Sequence, residues 1–261
     1  MTVFKHELRQ GKISLLIWSV SIAFMICICV LIYPEMSKQM GDVGAMFADM
    51  GGFSQALGMD KINFGEFIGF FGVECGNILG LGGAFFAALL GISALAKEEK
   101  EHTAEFLLTH PISRGKILFE KLFAVFAQIT ALNAICVAAT ALSIAVIGEK
   151  APIKTVSLLF LAYYIMQLEI AGITFGISAF ISRSGIGIGL GLATVFYFMN
   201  IISNLSEKAE FLKYLTPFGY TEGSDIIAEN AINIKPLAAG VVLLSVGVAV
   251  GFIKYIKKNI K

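Results

Sequence analysis

Two carboxylic acids stand inside long apolar runs of this sequence, Glu74 in "GFFGVECGNILG" and Glu169 in "YYIMQLEIAGITFG". A charge at membrane depth costs several kcal/mol, so such an acid faces a polar interior, serves an ion or proton path, or is hydrogen-bonded into a helix contact. Gly172 and Gly176 share a helical face with Glu169 and turn it towards a packed interface, while Asn77 lies one turn from Glu74. The other reactive residue types offer less. His6, His102 and His110 lack zinc-type spacing. Cys27, Cys29, Cys75 and Cys136 fall in apolar runs, where they act as small hydrophobes rather than disulfide partners or metal ligands. A nucleotide-binding loop is not formed at Gly115-Lys116, because Ile117 follows and His110 stands where the loop needs glycine. With no Gly-x-Ser-x-Gly elbow either, the chain is expected to hold no catalytic set, metal or cofactor of its own.

What positions the two acids is a set of apolar spans. The chain is 57% apolar and only 15% charged, with a mean hydropathy of +0.80, whereas soluble domains carry about a quarter charged residues. The net charge of +1 has no concentrated basic face, so nucleic acid is set aside as a partner. Runs long enough to cross the hydrocarbon core, about 20 helical residues, lie at Ile13–Tyr33, Phe67–Ala96, Leu118–Ile147, Ser157–Ile181, Ile186–Leu205 and Leu237–Ile256. An all-α integral membrane domain of six spans, occupying residues 1–261, is predicted. The first run is too long for a signal peptide and no cleavage site follows it, so it reads as a retained span. Thirteen of the 20 Lys and Arg fall on the side holding both ends and the second and fourth connections. Both termini are therefore expected to be cytoplasmic in a multi-pass plasma-membrane protein.

Several local patterns refine this picture. Lys5, Arg9 and Lys12 share one helical face and Phe4 and Leu8 another, the pattern of a short helix in the headgroup layer. In the second span Gly72, Gly76, Gly80, Ala84 and Ala88 are spaced by four, a row that lets another helix approach closely. Glycines 185, 187, 189 and 191 have period two, which is no single helical face and reads as a loosened helix start near Arg183. The outer segment after "YPEM" is rich in Met36, Met40, Met46, Met50 and Met59, with Phe47 and Phe53; without His or Cys there, a deformable apolar surface explains it better than soft metal. Residues 206–234 read as two short helical pieces around "TPFGY", capping the spans or dipping into the outer leaflet.

The most charged stretch is "KEEKEHTAEFLLTHPISRGKI", residues 97–117, on the side of the termini. Good helix formers run from Lys97 to Leu108, Pro111 ends that helix, and Ser113 is placed to cap the next. A merely solvated loop has no use for Phe106-Leu107-Leu108 before a rigid turn, so this is expected to be a docking element for another protein.

The run "KEEKEHTAEFLLTHPISRGKILFEK" resembles the segment after the second span in ABC-2 type permeases, through Thr103, Glu105, Leu107, Leu108, Pro111, Ser113, Arg114 and Lys121. His102 departs from the glycine often found there. The amphipathic start, six spans and "TPFGY" extend the likeness over the whole chain. The resemblance implies a permease without ATP-binding residues, paired with a separate ATP-binding cassette ATPase that holds ATP and Mg, and with a second permease copy or paralogue. It further implies that residues 98–116, with Glu98, Glu99 and Phe106, are the coupling helix, that the N-terminal helix is an elbow, and that residues 206–230 form outer re-entrant helices. Export of an amphipathic or lipid-like substrate, best an amphipathic peptide, fits the aromatic character of Phe70, Phe71, Phe85, Phe86, Phe196, Tyr197 and Phe198 along a path shared by the second and fifth spans, with Glu169 beside it. Two rivals remain at this point. One is an ion- or proton-coupled carrier using Glu169 and Glu74, and the other a non-transporting peptide receptor or immunity subunit.

Overall fold

The computed structural model describes residues 2–48, 62–63, 65–100, 113–181 and 185–258, and every element among them is helical. Six helices are long and apolar enough to cross a membrane, as the hydropathy runs predict. α1 (Thr2–Ala48) is one continuous helix of 47 residues, so the amphipathic start passes into the first span without a break. The helix also continues through Pro34, where the run of apolar residues was expected to end. At about 1.5 Å per residue it is about 70 Å long, more than twice the roughly 30 Å hydrocarbon core.

The second span is built from α2 (Phe67–Cys75), a π-helical turn (Gly76–Leu81) and α3 (Gly82–Lys100). Glu98 and Glu99 thus prolong the span's own helix instead of opening a separate one. Residues 101–112, which carry Thr103, Glu105, Phe106, Leu107, Leu108 and Pro111 together with His102 and His110, lie outside the described residues, as do Met50, Phe53, Met59 and Arg183. α4 (Arg114–Ile147) starts at Ser113, whose side chain accepts from the Lys116 N–H as the sequence led one to expect. It ends at Gly148, which adopts φ 70°, the left-handed conformation that glycine takes at least cost. α5 (Ile153–Ser178), α6 (Ile186–Leu205) and α8 (Ile234–Lys257) complete the spans.

Between α6 and α8 come three short pieces rather than two: 3-10 turns at Glu207–Tyr214 and Pro217–Tyr220, and α7 (Gly223–Glu229). "TPFGY" is itself the middle piece, with Thr216 capping it by accepting from the Phe218 N–H. The Thr216 hydroxyl donates to Phe196 O at 2.9 Å, and Phe218 meets the Tyr197 ring edge-on at 5.6 Å, which folds the pieces back onto the spans.

α2–α3 and α5 are the most buried spans and form the centre of the bundle. Aromatic rings tie them to their neighbours: Tyr33 of α1 packs against Phe67 and Phe70, Phe71 against Phe160, and Trp18 against Phe86. Small residues set the closest contacts. A Cβ on Gly76 would sit 2.7 Å from the Tyr163 hydroxyl, and one on Gly83 would strike Gln167 at 2.2 Å. The partner of the glycine row is therefore α5 of the same chain, together with α7, whose Ile227 lies against Gly72. Ala84 and Ala88 are fully buried. α6 is regular from Ile186, so the expected loosening is not seen among its described residues. Its glycines divide by face: Gly185 and Gly189 lie against Ile92, while Gly187 and Gly191 have nothing within 4 Å.

Candidate functional site

Three regions concentrate polar groups. The first is the end of the bundle holding the termini and the 98–113 connection. Arg114, the first residue of α4, reaches across 142 positions to the C-terminus of α8, where its guanidinium donates to Ile256 O at 3.0 Å and Lys258 O at 2.7 Å. These are carbonyls that a helix end leaves without intrahelical partners. Lys258 in turn donates to Ala179 O at the end of α5, and Lys254 lies over the Phe180 ring. A second set joins α1 to α4. Buried Lys121 pairs with Glu7 at 2.6 Å and donates to Ala94 O at 2.9 Å, and Glu120 accepts from the Phe4 N–H. Gln128 extends against Gly11, where a Cβ would lie 2.1 Å from its Oε1. Beside these groups a cavity of about 440 Å³ opens between α1, α3, α4 and the start of α6.

The second region is the buried acid. Glu169 is fully buried in α5, where neither carboxylate oxygen has a well-formed hydrogen bond and the Tyr220 hydroxyl is the donor that approaches it. The carboxylate is pressed against Gly240 of α8, where a Cβ would lie 2.2 Å from Oε2. Gly172 and Gly176 on the same face meet Leu244 and Gly247, so the sequence's pointer to a packed interface holds: that interface is α5 against α8. Tyr220, on the turn above, is its polar neighbour; burial and then the charge of Glu169 hold the phenol far above its usual range. Glu74 is half-buried and lies 3.8 Å from the Cys29 thiol.

The third region is the opposite end, under the Glu207–Glu229 cap. Glu222 accepts from Asn204 at 2.8 Å and from Asn200 at 3.3 Å, both on α6. Burial pushes its carboxyl upward, and the two amide bonds and Lys213 pull partly back against that burial and Asp225. Glu222 lines a cavity of about 50 Å³ with Gly72, Asn77, Tyr163, Tyr197 and Asn200, enough for ordered water. Nearby, α4 and α5 splay around a larger apolar groove of about 870 Å³.

The aromatics proposed for a path are not brought to one surface. Phe70, Phe71 and Phe86 are buried inside this chain, Phe85, Phe196 and Tyr197 are half-buried, and Phe198 is exposed. The Arg114 clasp, the Lys121–Glu7 pair and the Glu222–Asn204 bond were not foreseen. Only Glu222 next to "TPFGY" and Lys121 at a span's start gave a local signal of interest. Among the described residues no cluster of three His, Cys, Asp or Glu is placed to hold a metal ion.

Comparison with curated proteins yields no matching relative. The family model described as ABC-2 family transporter protein matches residues 1–260, essentially the full length of a chain whose described residues include six helices long and apolar enough to cross a membrane. The chain therefore belongs to the ABC-2 transporter family, as a multi-pass membrane transport subunit.

Proposed function

We propose that this chain is the membrane-spanning permease of an ATP-driven exporter, with ATP and Mg bound by a separate ABC ATPase and with a second permease copy or paralogue completing the pore. It sits in the plasma membrane with both termini in the cytoplasm, and its substrate is amphipathic, best a peptide. The observation that carries the reading is the end of the bundle that holds both described chain ends. The 98–113 connection springs directly from α3 and re-enters α4 at a capped, clasped start, so a push on it moves two spans and, through Arg114, the end of α8. Glu98, Glu99, Thr103, Glu105, Phe106, Leu107, Leu108 and Pro111 are assigned to the docking surface. Arg114 supports that surface from below, being already engaged by this chain's own carbonyls.

The test is affinity purification of the solubilised chain from its native membrane. An ATPase that co-purifies with the wild type and is lost from Glu105→Lys supports the reading. Equal recovery with the variant removes the docking role, and no ATPase under mild detergent removes the exporter itself. Glu105 is preferred to Arg114 because reversing Arg114 would also disturb α8. The carrier reading gains no support from the geometry: Glu169 lines none of the four cavities described in this structure.

A further inference from the structure

The cavity at the cytoplasmic end has the construction of a ligand site. Its volume of about 440 Å³ falls within the roughly 300–1,000 Å³ of small-molecule pockets. One wall is polar: Glu7, Gln10, Lys97, Lys121 and Gln128 line it, two cations against one carboxylate. Lys121 is spent on Glu7 and Ala94 O, while Lys97 is half-buried and, among the described residues, donates to a neutral amide, Gln10. Gln128 is 4% exposed, and its Oε1 is turned against Gly11 of α1 without a hydrogen-bond partner, so it closes the cavity wall rather than facing its space. The other wall, with Phe86, Leu90 and Val125, is apolar.

We infer that this cavity binds an anionic amphiphile, its carboxylate or phosphate at Lys97 and a single apolar tail along Phe86 and Leu90. The inference deepens the proposed function by naming the charge and site of the amphipathic ligand, and it rests on that reading only for calling the ligand a substrate. α3 and α4, the two helices joined by the docking connection, both line the cavity. An occupant therefore sets the spacing of these two helices.

The chain carries its own reporter. Trp18, the only tryptophan, lies 6.0 Å ring to ring from Phe86. The experiment is fluorescence titration of the full chain, alone in neutral-lipid nanodiscs, with N-(bromoundecanoyl)glycine brominated at the tail end; bromine quenches tryptophan on contact. Saturable quenching is expected, displaced by the unbrominated acid but not by inorganic phosphate, which distinguishes an amphiphile site from a free-anion site. Lys97→Gln should weaken it about tenfold, and Ser93→Phe, which fills the cavity wall, should remove it. The neutral bromoundecanol should quench linearly, through the bilayer only. Linear quenching by the acid, unchanged in Lys97→Gln, would overturn the proposal; displacement by phosphate would replace it with an anion site. Because Lys97 is half-exposed, its variant tests the proposal even if Ser93→Phe does not fold. No ATPase is present, so failure here leaves the exporter reading to its own pull-down.

Discussion

Two identical substitutions, Gly176→Ala in α5 and Gly187→Ala in α6, should move stability in opposite directions. A Cβ on Gly176 would lie 2.1 Å from Gly247 O and 2.6 Å from Gly247 C, both backbone atoms of α8. No rotamer relieves that overlap, so the helices must separate by about 1 Å, which places the cost near the upper end of the ~1–3 kcal/mol of overpacking. Alanine returns about 1 kcal/mol through its better helix propensity, leaving a net loss of about 2 kcal/mol. Gly187 has nothing within 4 Å, so only the propensity gain of about 1 kcal/mol remains. The expected gap between the variants is about 3 kcal/mol, or on the order of 6–12 °C in Tm for a chain of this size. Thermal unfolding of both proteins in one detergent, followed by circular dichroism, measures it. A Gly176→Ala protein as stable as Gly187→Ala would show that α5 and α8 do not meet backbone to backbone, and with that the enclosure of Glu169 would fall.

Three other expectations follow from single contacts. Arg114→Gln should fray the last turn of α8, raising amide hydrogen exchange around Tyr255–Lys258 while leaving the middle of α8 protected, since the lost charge-assisted bonds are worth about 1.5–3 kcal/mol. Ser113→Ala should cost about 1 kcal/mol and speed exchange at the Lys116 amide, which that side chain caps. Glu222 holds its proton more tightly folded than unfolded, so its stabilising share is complete below the ordinary carboxylate range and is lost as pH rises through its raised value. The fall in Tm with rising pH should therefore be shallower in Glu222→Gln, and an unchanged slope would place the dependence elsewhere.

Apolar run length and glycine spacing make the six spans and the packed face of α5 readable from the sequence, though not its partner α8, because bilayer thickness and the helical repeat are local constraints on the chain. The fifth span was placed to the residue, Ile186–Leu205. The first apolar run ends at Tyr33, whereas the helix tolerates the missing donor at Pro34 and continues to Ala48. Contacts such as Arg114 with Ile256, or Lys121 with Glu7, join residues more than 110 positions apart, and nothing local says which partner each will meet. The aromatic residues were ambiguous for another reason: a phenylalanine in a membrane helix has the same local sequence whether it meets lipid, a neighbour or cargo.

The wide turn at Gly76–Leu81 carries a trace of how the second span could have arisen. Nineteen residues separate Gly72 from Gly91, which at about 100° each leaves Gly91 about 100° past five whole turns. A π turn takes up about one additional residue, and so cancels that offset. Both glycines consequently keep packed positions: a Cβ on Gly72 would lie 2.5 Å from Ile227 of α7 and 4.0 Å from Leu159 of α5, and one on Gly91 2.2 Å from Thr174 of α5. The turn has the form of an absorbed insertion, a spare residue stored where it does no harm to the phase of the span. Loss of one residue between 76 and 81 would return this stretch to an ordinary helix with its lower half still aligned, whereas the same loss within α3 would rotate Gly91 away from its partner. A one-residue deletion in this span should thus keep the helix faces in phase only within that short window.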